Sequence, residues 1–203
     1  MPGSITHLMA AYYYNKLHGM TLGPDFYLGS ISPDSVNVLG HASKEKRWST
    51  HLRNQDLDIW TDNVKSFYDE NKLKVNNDFL KGYVIHILTD IVWDRKYDSL
   101  LYRFLLLSGV DKDRLKDERW AEIYGYEQTQ INSDWLNTEV LPKLKCANLV
   151  SVFNLDDIQV QRWKHKILSK DLPIGREISY LNDEIMLDFY KNISLEAEKI
   201  FNI

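Results

Sequence analysis

The chain has 203 residues, of which 44% are hydrophobic and 27% charged, a composition typical of a globular protein with a sizeable core rather than of a disordered chain. It carries 25 Lys and Arg against 29 Asp and Glu, and the net charge of −4 disfavours nucleic acid or an anionic membrane surface as its partner. The single cysteine, Cys146, excludes an intramolecular disulfide framework and a cysteine-rich zinc site.

The N-terminal segment lacks the basic region and the long apolar stretch of a signal peptide. No run approaches the ~18 uninterrupted apolar residues of a membrane span. These features predict a cytoplasmic protein without a membrane span, and they leave its oligomeric state open. Because the sequence contains no internal repeat and no Pro/Gly/Ser-rich linker, we expect one domain over residues 1–203.

The spacing of apolar residues predicts helices, and strand-like alternation is scarce. The first helix is expected over about 4–18, with Ser4 as its N-cap and Gly19 as its stop. Residues 21–37 contain two Pro-Asp turn signals and are predicted as a loop. Further helices are expected over about 55–71, 78–93, 97–107, 112–128, 130–145, 154–168 and 179–201. Asp78 is expected to cap the helix over 78–93. The sequence therefore predicts an all-α fold.

The stretch KGYVIHILTDIVWD, residues 81–94, places His86 and Asp90 one helical turn apart, on the arc opposite most of its apolar residues. Side chains four residues apart lie side by side, with about 5–6 Å between their Cβ atoms, so this pair can converge on one cation. No Lys, Arg, Glu or Gln occurs in residues 82–94, which favours a polar cleft over open solvent. The alternative is a His–Asp hydrogen bond on an exposed helix face.

Other potential ligands are scattered along the N-terminal half, and each has a structural alternative. His7 is a candidate ligand or a packing residue, Asp34 a ligand or a turn residue, and His51 a ligand or a surface residue. His18 and His41 are similarly ambiguous. As a set, nitrogen and oxygen ligands without thiols suit zinc or a harder divalent ion.

Taken in chain order, these residues resemble the ligand stations of the zinc-dependent phospholipase C family, whose superfamily includes single-strand-specific nucleases. Its Gly-x-x-x-Pro-Asp segment reads Gly29–Asp34 here, and its Gly-Tyr-x-x-His-x-x-x-Asp helix reads Gly82–Asp90. The resemblance covers residues 1–94 and is closest to the short intracellular bacterial members. It implies a multi-helix bundle of the phospholipase C and nuclease type.

The resemblance implies that Asp34, His51, His86 and Asp90 bind one zinc ion, with Asp90 able to bridge to a second ion held by His7. The further histidines, the later His-x-x-x-Glu pair and the N-terminal tryptophan of the secreted enzymes have no counterpart here. One or two metal ions are therefore expected rather than three. A later carboxylate could complete a second site, and we select Glu127 from the candidates Glu118, Glu122, Glu127 and Asp134.

The activity implied is hydrolysis of phosphate esters, as by a phosphodiesterase, through a zinc-activated water that Asp34 or Asp90 orients or deprotonates. Lys44–Arg47 and Arg53 offer cations that could dock a phosphate, or form a solvated loop. The expected substrate is a small phosphate ester or a lipid headgroup, with nucleic acid unlikely. Aromatic residues could line its pocket or belong to the core, namely Trp48, Trp60, Tyr83, Trp93 and Trp120.

Two other readings remain open. The chain could be a non-catalytic helical binding module with a degenerate or structural metal site, which the missing later ligands favour. A helical metallo-phosphohydrolase built on His-Asp dipeptides ranks last, because the sequence contains no such dipeptide.

Overall fold

A computed structural model of the chain describes residues 2–148, 153 and 155–203. The described residues form ten α-helices and no strand, which confirms the predicted all-α class. A 3₁₀ turn covers Ser32–Asn37, and π-helical turns cover Trp93–Tyr97 and Trp135–Val140. The helices are α1 (Ser4–Leu17), α2 (Pro24–Gly29), α3 (Lys44–Thr50), α4 (Leu57–Asn71), α5 (Asn77–Val92), α6 (Asp98–Leu107), α7 (Leu115–Gln130), α8 (Leu141–Cys146), α9 (Asp157–Leu168) and α10 (Asp183–Phe201).

Helix α5 forms the centre of the molecule. It packs against α1, α2, α4 and α10, and from Phe79 to Val92 every residue except Lys81 is buried. A helix that is covered on all sides has no solvent face to display. The predicted polar arc of α5 therefore faces protein, and His86 and Asp90 lie in the interior instead of along an open cleft.

Two glycines allow α2 to cross α5 at backbone contact. A Cβ atom on Gly82 would lie 2.0 Å from the carbonyl oxygen of Phe26, and one on Gly29 would lie 2.1 Å from that of Phe79. Both distances are far inside van der Waals contact, so each position requires the absence of a side chain. These glycines are the first residues of the two sequence motifs, and their contact brings the chain after α2 against His86.

The segment predicted as a loop between residues 21 and 37 contains α2 and the 3₁₀ turn, and α3 follows it. Pro24 and Pro33 each occupy the first turn of one of these short elements, where a missing N–H is tolerated. Helices of six or seven residues are stabilised by tertiary packing rather than by intrinsic propensity, so periodicity did not reveal them. The predicted helix 130–145 is interrupted at 131–133, and Asn154, the predicted start of α9, lies outside the described residues.

Two predicted N-caps are replaced by neighbours. Helix α1 is preceded by Gly3, which has no side chain to offer, and the N–H of Thr6 instead donates to Glu127 Oε1 at 2.8 Å. Helix α5 is capped by Asn76, whereas Asp78 lies in its first turn and accepts the N–H of Gly23 at 2.7 Å. A carboxylate near a helix N-terminus is favourable in either arrangement.

Glu122 of α7 connects the chain before α10 to the rest of the fold. Its buried carboxylate accepts hydrogen bonds from the backbone N–H groups of Ser179, Tyr180 and Leu181. It also forms an ion pair with Arg176. Burial alone would raise the pKa of Glu122, but these donors hold that pKa below its ordinary value. The carboxylate therefore stabilises the folded chain when it is ionised.

We expect Glu122→Gln to lower the free energy of unfolding by about 1–3 kcal/mol at pH 7, because the amide places donors against donors. A carboxyl with a lowered folded pKa contributes stability above its unfolded pKa and loses it as the pH falls through the folded one. Urea unfolding at pH 7, 5 and 3.5 measures this effect. The difference in free energy of unfolding between wild type and Glu122→Gln should be largest at pH 7 and smallest at pH 3.5. Glu177→Gln, at an exposed position of the same segment, is the matched control and should unfold like wild type.

Among the helices that the structure describes, none combines the length and apolar character needed to cross a membrane.

Candidate metal centre

Three histidines from separate elements meet in the interior. His7 lies on α1, His51 directly follows α3, and His86 lies on α5, and none is more than 1% exposed. The rings of His7 and His86 stack with their centroids 3.7 Å apart, and the Nε2 atoms of His51 and His86 are 3.2 Å apart. The structure therefore brings together three imidazoles separated by up to 79 residues in the chain.

Two carboxylates complete the cluster. Asp90 Oδ1 lies 3.7 Å from His7 Nε2, and its Oδ2 lies 3.6 Å from His51 Nε2 and 4.0 Å from His86 Nε2. Asp34 Oδ1 lies 3.4 Å from His51 Nε2. Within two overlapping groups, the ligand atoms all lie within 4.8 Å of one another: His7, Asp34 and His86, and His51, His86 and Asp90. All five residues selected from the sequence as primary ligands are thus neighbours.

Backbone carbonyls fix two of the imidazoles in a ligand-ready tautomer. The Nδ1 of His86 lies 2.8 Å from the carbonyl oxygen of Ser30, and the Nδ1 of His51 lies 2.8 Å from that of Arg47. A carbonyl only accepts, so Nδ1 carries the proton in the neutral ring and the lone pair of Nε2 points into the cluster. Tetrahedral zinc with bonds of about 2.0–2.1 Å holds two nitrogens about 3.3 Å apart, close to the separation of these two Nε2 atoms.

The cluster contains buried polar atoms without hydrogen bonds. Among the described residues, both ring nitrogens of His7 and both carboxylate oxygens of Asp90 lack a partner, although both side chains are 0% exposed. Leaving such groups unsatisfied costs about 1–3 kcal/mol each, and more for a charged one. A divalent cation coordinated by one ring nitrogen of His7 and by the carboxylate of Asp90 would remove most of this penalty, leaving the second nitrogen of His7 without a partner. The donor set of imidazole nitrogens and carboxylate oxygens fits zinc or a harder divalent ion.

The protonation states follow from the burial. Burial lowers the pKa of His7 and His86 well below the ordinary value, and their neighbouring imidazoles lower both further. Burial also raises the pKa of Asp90 to about 7. Neutral imidazole is the form that binds metal, and the carboxylate becomes available near neutral pH.

His51 and Asp34 are coupled to each other. Burial alone would lower the pKa of His51, but the carboxylates of Asp34 and Asp90 outweigh burial and raise it. Burial alone would raise the pKa of Asp34, but the hydrogen bond and the charge of the histidines outweigh burial and lower it. Asp34 is therefore a carboxylate at neutral pH.

The end of α3 is held in place by aromatic hydrogen bonds. Trp60 Nε1 donates to the carbonyl oxygen of His51 at 2.7 Å, and the Tyr83 hydroxyl donates to that of Thr50. Trp60 and Tyr83, like Trp93, are buried in the core, so these three do not line a substrate pocket. Trp60 and Tyr83 instead fix the position of His51, which supports the rigid placement that a metal site needs.

Asp34 connects the cluster to solvent. It is 9% exposed and lies in the wall of a cleft of about 160 Å³, together with Arg47, Trp120, Tyr124 and Lys166. The other four residues of the cluster are at most 1% exposed. The cleft at Asp34 is thus one approach to the cluster, and a second depression of about 180 Å³ is lined by Arg47, Trp48, His51 and Arg53.

The predicted phosphate-docking cations have different surroundings. Arg47 lines the cleft, whereas Lys44 lies over the ring of Trp48 at 4.4 Å. Arg53 forms an ion pair with Asp94 at 2.6 Å. Of these cations, Arg47 therefore lines the same cleft as Asp34.

Glu127 lies outside both ligand groups. It lines the cleft, but its carboxylate accepts the N–H of Thr6, and a Cβ atom on Gly3 would lie 2.3 Å from its Oε2. Its position thus supports the start of the helix that carries His7. No residue pattern indicates this contact or the two carbonyls that orient His51 and His86, because backbone N–H and C=O groups are the same in every residue type.

Comparisons of the chain with protein-family models, with curated proteins and with solved structures return no match.

Proposed function

We propose that the chain is a metal-dependent hydrolase of phosphate esters that acts at the cleft ending on Asp34. The observation that carries this proposal is the buried cluster of three imidazoles and two carboxylates, in which His7 and Asp90 have no hydrogen-bond partner among the described residues. The resemblance of residues 1–94 to the zinc-dependent phospholipase C family supports the same activity. Zinc is the proposed metal, as one or two ions.

The residues of the cluster divide into two tasks. His7, His51, His86 and Asp90 would hold the cation, with Asp34 able to join His7 and His86, and the bound cation would supply a Lewis acid that lowers the pKa of a water towards about 7. Asp34, ionised and in the wall of the cleft, would orient that water and take up its proton. Arg47 offers a cation in the wall of the same cleft for the oxygens of the phosphate.

Substitution of a ligand tests the proposal. His86→Ala should abolish zinc-dependent hydrolysis of bis(4-nitrophenyl) phosphate and 4-nitrophenyl phosphate, because it removes a nitrogen shared by both ligand groups. His165→Ala, which removes an exposed histidine outside those groups, should retain wild-type rates. Equal rates in the two variants, or no hydrolysis by metal-loaded wild type across a broader panel of phosphate esters, would contradict the proposal.

The burial of four ligands favours a second candidate, a structural metal site in a non-catalytic module. A structural ion is enclosed by protein ligands, whereas a catalytic ion keeps an exchangeable position. Cobalt substitution separates the two, because phosphate should change the visible spectrum of an open site and leave that of a closed site unchanged. We expect a change in wild type, and an unchanged spectrum would favour the structural site.

A further inference from the structure

A second and larger depression adjoins the cleft. It encloses about 850 Å³, and we call it the basic groove because Arg47, Arg53, Lys116 and Arg119 line it against two carboxylates, Asp94 and Asp98. The groove shares His41, Arg47 and Trp120 with the cleft, so these residues separate two adjoining depressions. Four permanent cations beside two carboxylates give this surface a positive balance in a chain of net charge −4.

Arg119 lines the groove and has one buried donor atom without a hydrogen bond. Its Nη1 donates to Asp98 at 2.6 Å, and its guanidinium lies 4.8 Å from the centroid of the Trp120 ring. The residue is 9% exposed, and its Nε has no hydrogen-bond partner among the described residues. A buried guanidinium nitrogen without an acceptor favours an incoming anion, because an anionic oxygen supplies the missing acceptor.

Lys116 adds a cation that is available to a ligand. It lies three residues before Arg119 on α7, and residues three apart project from the same side of a helix. The lysine is exposed and forms no ion pair or hydrogen bond within the part of the chain that the structure describes. Lys116 and Arg119 together therefore offer two donors from one helix face.

We propose that the basic groove binds a second phosphate group of the substrate, so that the enzyme acts on small molecules that carry two phosphates. This inference rests on the proposed function, which places the phosphate that is hydrolysed at Asp34. Arg47 lines both the cleft and the basic groove, so it lies between the positions proposed for the two phosphate groups. The volume of the groove falls within the roughly 300–1,000 Å³ of small-molecule sites, which favours a compact ligand over a polymer.

Titration of the metal-free protein tests the groove separately from catalysis. Inorganic pyrophosphate should bind in the presence of EDTA, and Lys116→Ala should weaken that binding about tenfold, the effect of losing one charge-assisted contact. Lys112→Ala is the matched control, because this exposed lysine precedes α7 and does not line the groove. Asp90→Asn, which alters the metal cluster, should leave the affinity for pyrophosphate unchanged.

The outcomes separate the groove from the hydrolase. Binding that depends on Lys116 but not on Lys112 supports the groove even if wild type hydrolyses no ester, a result that would remove only the proposed function. Equal affinity of wild type and Lys116→Ala for pyrophosphate overturns the groove. Tighter binding of a single-stranded oligonucleotide than of pyrophosphate, at equal phosphate concentration, overturns the small-molecule assignment.

Discussion

Asp90→Asn is expected to abolish metal binding while making the metal-free protein more stable. Asp90 is fully buried, and neither of its oxygens has a hydrogen-bond partner among the described residues. At pH 8, above its raised pKa of about 7, the buried side chain holds a negative charge that His51 offsets only in part. An amide of the same shape removes that charge, so we expect a gain of about 1–3 kcal/mol in the free energy of unfolding in EDTA.

The sign of this effect depends on pH and on metal. A carboxyl whose folded pKa is raised above its unfolded value loses stability as the pH rises through the interval between the two. The advantage of Asp90→Asn should therefore be largest at pH 8 and decline towards pH 4. Added zinc reverses the order, since a ligand at 100 times its Kd stabilises wild type by about 2.7 kcal/mol and the variant by none. Thermal melts with EDTA and with zinc measure both parts, and an unchanged zinc response in the variant would contradict the assignment of Asp90 as a ligand.

Gly82→Ala is expected to destabilise the fold by about 3–5 kcal/mol, the range of severe overpacking or strain. In an ordinary helix the same substitution stabilises by about 1 kcal/mol. Here the new Cβ atom would lie 2.0 Å from the Phe26 carbonyl oxygen, and backbone cannot rotate away as a side chain can. Relief requires α2 to move from α5, which lengthens the hydrogen bond between Ser30 and His86.

The consequence for the cluster can be measured in any folded fraction of Gly82→Ala. Zinc affinity should fall together with stability, because Ser30 then no longer orients His86. Lys81→Ala, at the partly exposed neighbouring position, should alter the free energy of unfolding by no more than about 0.5 kcal/mol. A Gly82→Ala protein as stable as wild type in urea would show that α2 and α5 do not cross at backbone contact.

The residues of the cluster could be selected from the sequence because residue type and short spacing point to candidate metal ligands. His86 and Asp90 stand four residues apart on a helix, and Asp34 follows Pro33 in a recognisable segment. The environment of the pair was not predictable, since a helical wheel shows which residues share a face but not whether another helix covers it. Neighbouring helices cover the face that carries His86 and Asp90, so both are buried, and Asp34 is the most exposed residue of the cluster.

The other features that the sequence did not predict also depend on tertiary packing. Helices α2 and α3 are too short for periodicity to identify, yet they deliver the carbonyls that orient two histidines. The basic groove combines Arg47 and Arg53 with Lys116 and Arg119, which are more than 60 residues away along the chain. Only the folded arrangement of α3 and α7 places these cations on one surface.

The metal content of protein purified without a histidine tag tests the central claim most directly. Elemental analysis of wild type should give one to two equivalents of a divalent metal per chain, zinc foremost, and the Asp90→Asn protein should contain none after the same dialysis. Folded wild type that retains less than about a tenth of an equivalent, even after reconstitution with zinc, manganese and iron, would contradict the metal centre and the hydrolase built on it.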